Sequence, residues 1–227
     1  MIDAEQVGQR IERVKHRIAD AGGDPARIGI VAVTKGFDAS AIDAAAAAGL
    51  GMIGENYAQE LQGKWDQLLP ETRSTIDVHF IGRLQSNKVR QLADVVHLWQ
   101  SVDRTRLIEQ IARHSPRAAV FVQLDVSGTA TQGGCPLSEA PSLVAAARQS
   151  GLDVGGCMAI GPQGTSSQIE TAFTEVARFA DRHDLEHRCM GMSADLEEAI
   201  RAGSTMVRIG TALFGNRPPR VASTRGA

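Results

Sequence analysis

Cysteine is scarce in this 227-residue chain: Cys135, Cys157 and Cys189 are odd in number, widely spaced, and lack a C-x-x-C pair or a histidine at zinc spacing. A disulfide framework and a compact structural zinc site are therefore not expected. There is no long basic run, and the formal net charge is -2. Nucleic-acid binding rests on clustered Lys and Arg facing phosphates, so a nucleic-acid partner is not expected either. No apolar run approaches the roughly 18 residues that span a bilayer, which argues against a membrane partner. Residues 1–18 have apolar positions at helical spacing with charges between them, without the apolar centre and cleavage site of a signal peptide, so a cytoplasmic protein is expected. Tyrosine occurs once, at Tyr57.

What is present is ordinary globular usage, with 43% hydrophobic and 22% charged residues. The length suits one α/β barrel or one doubly wound domain as well as two small domains. No linker or composition shift divides the chain, so one domain over residues 1–227 is expected, with 216–227, Pro-rich and short of apolar residues, as a disordered tail.

After the N-terminal helix, short apolar runs of strand type alternate with amphipathic stretches. Strands are expected at 28–34, around Met52, and at 78–82, 97–102, 119–126, 154–160, 188–192 and 206–214. Helices are expected at 39–48, 57–69, 87–93, 104–113, 138–149, 167–183 and 194–202. Strict alternation implies parallel strands joined by crossover helices, and eight strands are what a closed (β/α)8 barrel needs. An open doubly wound sheet is the alternative. No helix is evident after the eighth strand, so the N-terminal helix is expected to complete the outer ring.

In such a barrel the chemistry belongs at the carboxyl ends of the strands. Lys35 falls there, directly after the apolar run IVAVT, and reads either as a surface lysine or as a desolvated amine able to attack a carbonyl. Strand two ends at Glu55 and Asn56, and strand three runs into Gly82, Arg83, Gln85, Ser86 and Asn87; each is either a solvated loop or part of the same mouth. Near the end, CMGMSADLEEAI puts Gly191 at a strand end and Ser193 at a helix start, with Asp195 and Glu197 in the first turn. Then STMVRIGTALFG places Arg208 within a strand, followed by Gly210 and Thr211. The loops after strands seven and eight are where barrels most often bind phosphate, and Ser193, Gly210 and Thr211 fit that use. Arg208 is costly to bury unpaired. It is either ion-paired to a neighbouring carboxylate such as Glu55 or Asp125, or a donor to a ligand at the barrel centre.

Taken in order, VAVTK, IGENYAQE, HFIGRLQSNK, GCMAIGP, MGMSADLEEAI and GSTMVRIGTALFG resemble the pyridoxal phosphate homeostasis proteins, from about residue 28 to residue 215. The resemblance implies the barrel of alanine racemase without that enzyme's second domain, and pyridoxal 5′-phosphate as cofactor. It implies Lys35 as the Schiff-base lysine, Asn56 beside the cofactor and Met158 against its ring. Ser193, Gly210 and Thr211 would hold the phosphate, and Arg208 would donate to the pyridine nitrogen. It further implies a monomer that binds, buffers and delivers the cofactor to apo-enzymes and influences amino-acid and 2-oxo-acid pools, without robust catalysis. Tyr57 is not at the position of the racemases' second base. A racemase of low activity or a Schiff-base lyase is the alternative. This sequence departs from the family pattern at Thr34, at Arg83 where a His is common, at Gln132 where the loop usually has a Lys, and in HRCMGMS.

Overall fold

A computed structural model describes residues 2–129 and 132–218. Its strands are β1 (Gly29–Val33), β2 (Met52–Glu55), β3 (Asp77–Phe80), β4 (Leu98–Val102), β5 (Ala119–Asp125), β6 (Cys135–Pro136), β7 (Asp153–Ala159), β8 (His187–Cys189) and β9 (Met206–Ile209). All pairings are parallel, in the order β4-β3-β2-β1-β9-β8-β7-β5-β6. The further β4–β5 pairing closes eight of these strands into a barrel, while the two-residue β6 adds to the carboxyl end of β5. The fold is the expected single (β/α)8 barrel, and the open sheet is excluded by that closure.

The outer ring comprises α1 (Ala4–Asp20), α2 (Ser40–Ala47), α3 (Ala58–Trp65), α4 (Pro70–Thr75), α5 (Val89–Leu92), α6 (Thr105–His114), α7 (Ala140–Gln149), α8 (Ser166–Arg182), α9 (Leu196–Arg201) and α10 (Thr211–Phe214). In α1 the buried residues Val7, Ile11, Val14 and Ile18 recur at helical spacing and form one stripe. Each contributes roughly 1.5–3 kcal/mol on burial. The Asp3 carboxylate caps the helix start by accepting from the Glu5 N–H at 2.9 Å. Helix α1 packs on α2, α9 and α10 and so completes the ring. None of the helices among the described residues is long and apolar enough to cross a membrane.

Three expectations change. The helix expected at 57–69 stops at Trp65 as α3, and a further helix, α4, follows it, with Leu69 in extended backbone (φ -65°, ψ 146°) ahead of Pro70, the first residue of α4. The strand expected to run to residue 214 stops at Ile209: Gly210 turns the chain and its carbonyl accepts from Leu213 and Phe214, starting α10. A helix therefore does follow the last strand. Ser193 lies three residues before Leu196, the first of α9, and Asp195 is the N-cap. Of the expected tail, 219–227 lie outside the described residues.

Side chains alternate across the barrel wall. Val31, Leu98, Phe121, Met158, Cys189 and Met206 form one cluster inside, while Ile30, Ala32, Ile53 and Val207 belong to the larger core between strands and helices. The interior also carries a polar chain. Cys189 Sγ donates to Gln100 Oε1 (3.0 Å), and Gln100 Nε2 meets His79 Nδ1 (2.8 Å). Burial holds His79 down to a pKa of about 4, so its ring is neutral.

Candidate functional site

The parity of β1 places the key side chain. Val31 faces inward and Ala32 outward, so Val33 and then Lys35, just past the strand end, face the barrel mouth while Thr34 turns to the helix layer. The same parity on β2 turns Glu55 outward and Asn56 to the mouth.

A cavity of about 240 Å³ opens there, lined by Lys35, Asn56, Met158, Ser193, Arg208, Gly210 and Thr211. These seven are the residues that the family resemblance assigns to the cofactor, brought from five separate strands. Val33, Ile81, Ile160, Met192 and Ala194 add apolar wall. Arg217 also lines the cavity and was not singled out, because its Pro-rich setting reads as a tail. No Asp or Glu lines the cavity among the described residues.

Lys35 is half-buried, and its amine is held below the usual lysine range. Desolvation is the largest cause, followed by the positive charges of Arg217 and Arg208, with Glu55 and Glu60 opposing. The reading as an ordinary surface lysine does not fit this position.

Arg208 is 4% exposed. Its Nη1 donates to the Cys189 carbonyl at 2.6 Å and lies 3.2 Å from Cys189 Sγ, and Nη2 donates to the Ala159 carbonyl at 2.7 Å. The carbonyl ends of β7 and β8 thus fix the guanidinium plane. The alternative of an ion pair with Glu55 or Asp125 is not what forms. Glu55, on the outer face, is bonded to Lys64 at 2.6 Å. Asp125 Oδ1 accepts from the N–H groups of Ser127 and Gly128, both at 3.0 Å, and closes its own turn. Arg208 has no ion pair among the described residues.

Ser193 reaches the first turn of α10, where its Oγ accepts from the Ala212 N–H at 3.4 Å. Its loop is held from two sides. Asp195 Oδ1 accepts from the Met192 N–H at 2.6 Å, and Arg17 of α1 donates to the Ser193 carbonyl at 3.0 Å while binding Glu197 with two bonds of 2.7 and 2.8 Å. The Arg17 partner holds the Glu197 carboxyl below its ordinary value, whereas burial raises that of Asp195. Gly191 in this loop has φ +93°, and a Cβ there would stand 2.5 Å from Ala199 Cβ, so the turn requires glycine.

Arg83 and Gln85 do not line this cavity; they line a neighbouring groove with Tyr57 and Lys88, which shares only Asn56 with it. Ser86 and Asn87 begin a 3₁₀ turn. Asn56 Oδ1 is buried with no hydrogen-bond partner among the described residues, an acceptor left over at the cavity wall.

The geometry agrees with comparisons to known proteins. The family described as alanine racemase, N-terminal domain, matches residues 2–218. A pyridoxal phosphate homeostasis protein of Pseudomonas aeruginosa is 39% identical, with the match covering 94% of this chain and 95% of that one. An unknown protein from Bifidobacterium adolescentis shares the fold with a TM-score of 0.86 and 31% identity, covering 94% of this chain and 98% of that one. PipY of Synechococcus elongatus PCC7942, solved with pyridoxal phosphate bound, gives a TM-score of 0.72 and 29% identity over 89% of this chain and 100% of its own. The chain belongs to the alanine racemase N-terminal domain family, and within it to the pyridoxal phosphate homeostasis proteins.

Proposed function

We propose that this chain binds pyridoxal 5′-phosphate on Lys35 and serves cofactor homeostasis by holding, buffering and delivering it. The observation that carries the reading is one cavity in which a desolvated lysine amine meets Arg208, Arg217 and two hydroxyl side chains, with no carboxylate in its lining among the described residues. An anionic aldehyde suits that set, since the amine can bond the aldehyde carbon and the cations offset phosphate charge. The leftover Asn56 Oδ1 provides an unused polar contact at the wall. The cofactor-bound PipY structure and the name of the Pseudomonas relative support the same assignment.

Ser193, Gly210 and Thr211 would hold the phosphate, Met158 would pack on the ring, and Arg208 would face the ring nitrogen. When bound, the cofactor supplies an aldehyde for the lysine and an electron-withdrawing ring. A guanidinium offers only donors, so a ring nitrogen facing Arg208 would be an acceptor and the ring would withdraw electrons weakly. Tyr57 lines the neighbouring groove rather than this cavity. The site therefore favours retention of the cofactor over turnover, and a racemase or Schiff-base lyase reading lacks a second base in the cavity lining among the described residues.

The reading extends to a single-domain, cytoplasmic monomer that passes the cofactor to apo-enzymes. Sedimentation of the loaded protein and recovery of activity in an added apo-enzyme check those points. The central test is direct: protein incubated with the cofactor gains a visible absorbance band, borohydride fixes the label on the Lys35 peptide, and Lys35→Ala removes that adduct. A protein that stays colourless with excess cofactor refutes the proposal.

A further inference from the structure

Behind the barrel wall, on the side of β1 away from the cavity, three charged residues form a closed cluster. Lys64 of α3 is 4% exposed, and Glu55 at the end of β2 is fully buried. Lys64 Nζ donates to Glu55 Oε1 (2.6 Å), to Glu60 Oε1 (2.6 Å) and to the carbonyl of Thr34 (2.8 Å). All three ammonium hydrogens are thereby used. Glu60 Oε1 also accepts from the Gly36 N–H at 2.5 Å, and Thr34 Oγ1 donates to Glu55 Oε1 at 2.6 Å.

The peptide groups that end on this cluster are the carbonyl just before Lys35 and the N–H just after it. We propose that Lys64, with Glu55 and Glu60, is a positioning device for Lys35: it clamps the backbone on both sides of that residue and places negative charge behind its amine. The proposal rests on the reading of Lys35 as the amine that carries the cofactor.

Two features argue against mere scaffolding. Gly36 sits at φ +78°, a conformation most side chains avoid, and the Glu60 bond falls on its N–H. Two carboxylates also share one ammonium, and Glu55 Oε2 has no partner among the described residues, so the cluster carries more negative charge than its own bonds require. Four charged groups act on the Lys35 amine: Arg208 of β9 and Arg217 beyond α10 disfavour its protonation, and Glu55 of β2 and Glu60 of α3 favour it. The outer cluster thus offsets the inner cations through the wall.

The test measures Lys35 without the cofactor. Trace acetic anhydride labels the apo-protein at neutral pH, and mass spectrometry reports the rate at the Lys35 peptide. Glu60→Gln keeps an oxygen for Gly36 and Lys64 but removes the charge, so the Lys35 amine is protonated less and labelling is expected to rise about threefold or more, since one pKa unit is tenfold. A purely structural role would leave that rate unchanged. Lys64→Met is expected to slow borohydride-trappable loading of the cofactor at Lys35 about tenfold or more, because a 1 Å error in placement alone has effects of that size or larger. If Lys64→Met does not fold, the neutral triple variant Lys64→Met, Glu55→Gln, Glu60→Gln replaces it, with slow loading again expected. Lys35 labelling at or below the wild-type rate in Glu60→Gln, or wild-type loading without Lys64, overturns the proposal. Wild-type protein that takes up no cofactor refutes the proposed function instead and leaves the labelling comparison standing.

Discussion

The two faces of the barrel wall at β1 treat positive charge in opposite ways. Outside, Lys64 finds every acceptor it needs within the protein and is paired to two carboxylates. Inside, Lys35, Arg208 and Arg217 converge on a cavity whose lining contains no carboxylate among the described residues, and Arg208 is bonded only to carbonyls and a thiol. Both faces are desolvated, so the difference lies in where the compensating anion comes from. A cation neutralised by its own fold is closed to a ligand, and one left without an anion is available to it.

The largest effect expected from this contrast is on stability. Lys64→Met leaves Glu55 and Glu60 without their cation, which costs about 3–5 kcal/mol in a buried setting. Arg208→Met removes donors from two carbonyls and strands no opposite charge, so its cost is nearer 1–3 kcal/mol. Its cofactor affinity falls at the same time. Urea denaturation of the two variants compares them directly, and equal losses would break the distinction between the faces.

The next effect depends on pH and tests whether the barrel interior below the mouth excludes charge. His79 titrates near pH 6.5 when unfolded and at about 4 when folded, so the unfolded chain binds the extra proton between those values. Stability from this group is full above pH 6.5 and is lost as pH falls towards 4, by an amount on the order of 3 kcal/mol. Replacing His79 by Gln should flatten the stability profile across that window. An unchanged profile would mean that the axis tolerates a charge well below the mouth.

Much of this organisation is legible in the sequence. The eight-strand alternation and the strand-end positions of Lys35, Asn56, Ser193, Gly210 and Thr211 follow from apolar periodicity, because parallel strands buried on both faces leave continuous apolar runs, whereas Met158 is pointed to only by the family resemblance. The pairing of Arg208 was not legible. A side chain's parity relative to a neighbouring strand depends on register, and register alone turns Glu55 outward and leaves Arg208 to the carbonyls of β7 and β8. Lys64 was missed for a related reason. Its spacing from Glu60 reads as an exposed i, i+4 helix pair, and only the fold brings it to Glu55 at the end of β2 and to the Thr34 carbonyl after β1, where it is buried. Arg217 was lost because proline-rich composition reports local propensity and says nothing about a side chain returning to the mouth.

The smallest effect concerns Arg17 and Glu197, an ion pair that also lies outside the wall but is about a third exposed at each side chain (35% and 35%). Water already solvates both groups, so Arg17→Met is expected to cost only about 0.5–1 kcal/mol. The sign of its pH dependence opposes that of the cluster behind Lys35. Glu197 is held below the ordinary carboxylate value, so its contribution is present above that value and fades as pH falls through the lowered pKa. Glu55 is raised by burial, so its contribution is fullest at low pH and fades as pH rises above the ordinary carboxylate value. Wild-type protein, Arg17→Met and Glu55→Gln, unfolded in urea from acid to neutral pH, separate the two slopes. Because Arg17 also bonds the Ser193 carbonyl, its loss should weaken cofactor binding modestly, by less than about fivefold, the scale of 1 kcal/mol. A loss in Arg17→Met as large as that of Lys64→Met would show that pairing outside the wall matters regardless of burial, and the contrast between the faces would then rest on geometry alone.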